Sequence, residues 1–152
     1  MRELVIAAGL VAALALAGCG KEDATQATAP APAARKELGR PAQMYQGQAK
    51  IESVQTGSVA SAPGGGVLLQ ASGTTAGPGW KNTGFLPYIY PATPPDGVYS
   101  VDVVADQPAG GAAAAPTAVE IKGDWKKYTD GRVKGIRFVS RTNEVVAMLP
   151  AK

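Results

Sequence analysis

The chain has 152 residues, with 15 lysines and arginines against 12 aspartates and glutamates for a formal charge of +3, one cysteine and no histidine. The lack of histidine excludes Ser-His and Cys-His catalysis and the common zinc sites. This length suits a single domain, and with one cysteine there is no internal disulfide, so the fold rests on its apolar core.

After Met1-Arg2-Glu3 the chain runs from Leu4 to Ala17 without one polar side chain. A weakly basic start, an apolar stretch and a small-residue close are the layout of a secretory signal. As a helix this stretch would be about 21 Å long, short of the ~30 Å hydrocarbon core, which argues against a permanent span.

The closing residues Leu16-Ala17-Gly18-Cys19 resemble the lipobox of bacterial lipoproteins. The resemblance implies that residues 1–18 are a signal peptide cut between Gly18 and Cys19, and that Cys19 carries a covalent lipid. The alternative is an ordinary signal peptide with an accidental cysteine. Two or three acyl chains at about 0.8 kcal/mol per buried CH₂ hold a protein firmly, where one does not. Gly20-Lys21 follow the cysteine. Inner-membrane lipoproteins typically carry Asp there, so its absence implies transport to the periplasmic face of an outer membrane. With Cys19 lipidated, no thiol is left for a metal or a nucleophile, and no other cofactor is expected. The resemblance covers only the first 20 residues.

Residues 19–45 are rich in Ala, Pro and Thr, with Ala29-Pro30-Ala31-Pro32 in the middle. Proline removes backbone donors and favours extended chain, so the segment reads as a disordered tether. Its Gly20 to Ala42 part, roughly 22 residues, would span about 26 Å as a coil and up to ~70 Å as polyproline II.

The folded domain is expected over 46–152. Segments rich in Val, Ile, Tyr and Thr alternate with Gly and Pro clusters, which predicts an all-β fold. Ala49 to Ala60 reads as one strand or a bent pair. Pro63-Gly64-Gly65-Gly66 is a turn, and Val67 to Thr74 a strand with Val67, Leu69 and Ala71 on one face. Trp80 to Tyr90 is a third segment, where Pro87 suggests an edge or a bulge. Thr93-Pro94-Pro95-Asp96-Gly97 is a strong turn signal. The clearest strand is Val98 to Ala105, with Tyr99, Val101, Val103 and Ala105 on one face and Ser100 and Asp102 on the other. Gln107 to Pro116 reads as a loop, because its glycines and Pro116 leave too little length for a helix. Thr117 to Trp125 and Val133 to Ser140 are strands around a turn at Asp130-Gly131. Glu144 to Leu149 follows as a hairpin partner through Arg141-Thr142-Asn143. Six or seven short strands fit a small β-sandwich or open barrel.

Two stretches stand out as candidate surfaces. Ser72-Gly73-Thr74-Thr75 leading to Gly79-Trp80-Lys81-Asn82 resembles a segment of small β-rich envelope proteins of uncharacterised function. Trp80 with Tyr88 and Tyr90 would suit an aromatic platform for sugar or peptide; the other reading packs Trp80 in the core. The second stretch is basic, with Lys122, Lys126, Lys127, Arg132, Lys134, Arg137 and Arg141 against Asp124 and Asp130. Trp125 and Tyr128 are interleaved in it, and such amphipathic side chains suit an interface. Near anionic head groups each cation contributes about 1 kcal/mol. The alternative is an ordinary solvated face. Nucleic acid would match the charge, but the envelope address argues against it.

Enzyme signatures are lacking in the sequence. There is no Gly-x-Ser-x-Gly elbow, no Ser-x-x-Lys, no phosphate loop and no calcium loop. Asp102 and Asp106 would share a strand face about 13 Å apart, beyond the roughly 5–9.5 Å of glycosidase pairs. The sequence thus points to a non-enzymatic, lipid-anchored binding or assembly module of the envelope, of accessory-subunit or inhibitor type, with a protein partner expected. The alternative is direct binding of anionic lipid, lipopolysaccharide or cell-wall glycan, and a carboxylate-dependent hydrolase is the least favoured.

Overall fold

The computed structural model describes residues 39–110, 115–126 and 131–151. They form eight strands: β1 (Gln48–Lys50), β2 (Ser53–Ser61), β3 (Val67–Thr75), β4 (Lys81–Pro87), β5 (Val98–Asp106), β6 (Thr117–Trp125), β7 (Gly135–Val139) and β8 (Glu144–Met148). The all-β class holds, and the described residues contain no helix, hence none long and apolar enough to cross a membrane. The strands number eight because the segment read as one strand or a bent pair is a pair. Its first half, β1, belongs to one sheet and its second, β2, to the other.

The larger sheet is built around β5. Val98 to Asp102 pair in parallel with β7, and Val104 to Asp106 pair with β1. β4 pairs antiparallel with the other edge, from Val101 to Asp106. β8 continues the sheet beyond β7. The smaller sheet is the antiparallel run β2-β3-β6. Pro87 closes β4, which pairs only with β5 in its sheet and carries a register shift between Lys81 and Gly84, matching the expected edge and bulge.

The inner faces follow the alternation of the sequence. Val67, Leu69 and Ala71 of β3 and Tyr99, Val101, Val103 and Ala105 of β5 all lie in one core with Ile51, Ile121, Ile136 and Phe138. Burying each large aliphatic side chain contributes about 1.5–3 kcal/mol. The smaller sheet makes room for aromatic rings with glycine. A Cβ on Gly57 would strike the ring of Phe138, and one on Gly123 would lie 2.9 Å from Phe85 Cδ2. The turn before β5 forms as expected: Gly97 at φ 68° donates its N–H to Pro94 O at 2.9 Å, and Asp96 accepts from Val98 N.

A side-chain clasp joins the two sheets at β2 and β8. Asn143 accepts from Val54 N at 2.9 Å and donates to Val54 O at 2.7 Å, where the register shift in β2 interrupts its pairing with β3. Ser140 holds this amide in place, donating to its Oδ1 at 2.7 Å.

One expectation needed revision. The second face of β5, read as the polar one, is as buried as the first: Ser100 and Asp102 are fully covered and Val104 is 1% exposed. Side chains of the neighbouring strands reach over this face, Lys50 Nζ to Asp102 at 2.9 Å and Arg137 Nη1 to Ser100 Oγ at 3.4 Å. Arg40 exchanges backbone hydrogen bonds with Ile89 on the side of the β4 extension away from β5, whereas β1 pairs with the opposite edge of β5. Eight residues reach at most about 28 Å, which obliges the chain to cross the outer face of β4 and β5 almost directly. The structured region therefore begins ahead of the expected start at Gln46, and the last part of the expected tether is a strap. The rest of the expected tether, the expected signal peptide, Gly18 and Cys19 lie outside the described residues.

Candidate functional site

Register places the ends of several strands together. The end of β6 meets the start of β3, since Trp125 pairs with Val67, and the end of β8 meets the start of β7. The end of β4 lies beside the start of β5. Between them a groove of about 560 Å³ is lined by Ala42, Leu86, Pro87, Tyr88, Ile89, Tyr90, Trp125 and Lys126. A second cleft of about 680 Å³ lies at the same end, between the β2–β3 turn and Val133, Lys134, Met148 and Leu149.

The expected aromatic platform is divided. Tyr88 and Tyr90 both line the groove, but Trp80 sits at the other end of β4, about 26 Å away along an eight-residue extended run. There it packs half-buried against the core. Tyr90 is a structural clamp as well as a wall. Its hydroxyl accepts from Ser100 N at 3.0 Å, its ring lies against Gly39, and it meets Tyr99 edge-on at 5.1 Å. Tyr99 in turn meets Trp125 at 5.6 Å. Trp125 is 6% exposed, so it joins the core more than it offers a surface.

The basic stretch is likewise dispersed by strand alternation. Lys122 faces outward on the smaller sheet, paired across from Gln70 and flanked by Glu120. Arg137 lies on the buried outer face of the larger sheet, 3.6 Å from Glu144. Arg141 is at the far end, with Nε and Nη2 on the two oxygens of Glu52 at 2.8 and 2.9 Å. That two-pronged bond holds the Glu52 carboxyl below its ordinary range and the Arg141 guanidinium above its own. Lys126, Arg132 and Lys134 remain together at the groove end, all exposed, with Lys126 3.6 Å from Asp124. Lys127 and Tyr128 lie outside the described residues.

No protein-family model matches the chain, and comparison with curated proteins and with solved structures finds no match.

The two carboxylates weighed as a hydrolytic pair have separate partners. Asp102 is held by Lys50 Nζ at 2.9 Å, and Asp106 accepts from Asn82 Nδ2 at 2.7 Å. Among the described residues, no three acidic or cysteine side chains gather as a metal site would need.

Two features of this end escaped the sequence reading. Ile89 is 52% exposed, although its place between two tyrosines on an extended run would have turned it away from both. Nothing in Gly39-Arg40-Pro41 signals a strand, yet Arg40 bridges Ile89.

Proposed function

We propose that this chain is a non-enzymatic, lipid-anchored binding or assembly module of the bacterial envelope. Cys19 would hold it on the periplasmic face of the outer membrane, with the groove end as its binding surface. One observation carries this reading. A single end of the sandwich combines two clefts, half-exposed Ile89 and Met148, and three exposed cations, Lys126, Arg132 and Lys134. Two clefts and a local gathering of cations at one end support a binding surface there.

A protein partner is tested by crosslinking the membrane-anchored protein in cells and identifying what is recovered, beside a Cys19→Ala control. A defined partner, lost with the anchor, is the expected result. Recovery of nothing beyond the control overturns the assembly reading. The second reading, direct binding of anionic lipid, lipopolysaccharide or glycan, is favoured by the three cations at one end.

A further inference from the structure

We infer that the groove end is the face the domain turns toward an anionic phospholipid leaflet, with Ile89 as its apolar contact and Lys126, Arg132 and Lys134 as its headgroup contacts. The inference rests on the lipid-anchored reading and names the ligand class of the surface proposed there.

Two independent observations converge. The first is where the chain joins the fold. Arg40 is tied to Ile89 by two backbone hydrogen bonds, 3.2 and 2.9 Å, so the segment leading from Cys19 arrives at the groove end. Roughly 20 residues separate Cys19 from Arg40, and a flexible chain of that length would reach about 25 Å. A chain that enters the fold at the groove end would, once anchored at Cys19, favour presenting that end to the leaflet over the opposite one.

The second is the segregation of charge. The groove end carries Arg40, Lys126, Arg132 and Lys134 against Asp96 and Asp124. Among the described residues the opposite end carries Lys81, Arg141 and the Glu144 partner Arg137 against Glu52, Asp106 and Glu144, so its charges balance and the excess is positive only at the groove end. An anionic leaflet attracts such an end within a Debye length and has no comparable pull on the other. Ile89 shares the groove with Lys126 and is bridged to Arg40, which places an exposed apolar side chain beside two of these cations. Each cation at the leaflet raises occupancy of the docked state about fivefold.

The test uses the full lipidated protein in vesicles. Its native cysteine being acylated, a single introduced cysteine can carry a fluorophore, at Ile89→Cys or Lys134→Cys on the groove end and at Gln107→Cys on the opposite end. Quenching by a headgroup-attached quencher is compared in phosphatidylcholine vesicles and in vesicles with about one third phosphatidylglycerol. Anionic lipid should raise quenching severalfold at positions 89 and 134 and leave position 107 unchanged. Lys126→Glu, Arg132→Glu and Lys134→Glu together, read with the probe at 89, should remove the increase, as should molar salt. Equal quenching at both ends, or no dependence on anionic lipid, overturns the inference. It is also overturned if the charge reversals release a crosslinked protein partner but leave quenching as it was. Intact mass separates the two levels. A protein without the acyl mass on Cys19 sinks the anchored reading, whereas an acylated protein with no preferred orientation sinks only this one.

Discussion

Phe85 and Phe138, on β4 and β7 of the same sheet, meet edge-on with ring centroids 5.6 Å apart, and each faces a glycine of the opposite sheet. Gly123 receives the first ring and Gly57 the second. The distance between the sheets is set here by aromatic rings lying on bare backbone. Such a pair contributes about 0.5–1.5 kcal/mol beyond the area it buries.

Gly57→Ala should therefore destabilise the domain by about 1–3 kcal/mol, since its methyl enters the volume of Phe138. Combining it with Phe138→Leu should cost less than the two changes added separately. Urea unfolding of the four proteins measures the coupling, and strict additivity would mean that the ring does not rest on Gly57.

The Asn143 clasp gives a second expectation. Asn143→Ala removes the partners of both backbone groups of Val54, a residue 1% exposed. A buried donor or acceptor left unpaired costs about 1–3 kcal/mol, so a loss of about 2 kcal/mol or more is expected. Amide exchange at Val54 should accelerate more than exchange in the middle of β3. Unchanged exchange at Val54 would show that another group takes over the role of the side chain.

The pair of Lys50 and Asp102 should respond unequally to its two deletions. Asp102 is fully buried, whereas Lys50 is 27% exposed and can swing into water. Lys50→Met leaves a buried carboxylate without its cation and should cost about 3 kcal/mol or more. Asp102→Asn keeps the shape and removes the charge, for about 1 kcal/mol. Equal costs in thermal unfolding would contradict this ordering.

Glu52 and Arg141 supply a pH dependence of known sign. The hydrogen-bonded guanidinium lowers the folded-state pKa of Glu52 below its ordinary value. Its contribution to stability is thus complete above the unfolded pKa and disappears as pH falls through the folded one. Carbon chemical shifts of Glu52 should titrate at lower pH in the native protein than in Arg141→Gln. Coincident midpoints would mean the ion pair does not persist in solution.

Strands with strict alternation were legible from composition. β3, β5 and β6 stand where Val67, Val98 and Thr117 begin their runs, and the Pro94–Gly97 turn announced itself by residue type. Pairing was not legible. β5 and β7 lie side by side in parallel although β6, between them in the chain, belongs to the other sheet. The second buried face of β5 was hidden for a related reason, because Ser100 and Asp102 alternate like solvent positions and are met there by Arg137 and Lys50 of neighbouring strands. The candidate site was half readable. Tyr88, Tyr90 and Lys126 do share a groove, but linear proximity overstated the basic stretch. Alternation sends Lys122 and Arg137 to two different outer faces, and the length of β4 separates Trp80 from both tyrosines.

The position of β5 also governs the order in which the molecule can be completed. As the chain emerges from its N-terminus, β5 has β1 and β4 at hand, but half of its remaining edge must await Gly135–Val139. Until nearly the whole polypeptide is out, Val98 to Asp102 present an unpaired, apolar edge of the kind that recruits foreign strands. Pairings this distant in sequence form slowly. The smaller sheet suffers less, since β2, β3 and β6 are all present by Trp125. Truncation after that point would leave a finished three-stranded sheet beside an unfinished hub, and aggregation of such fragments would begin at β5.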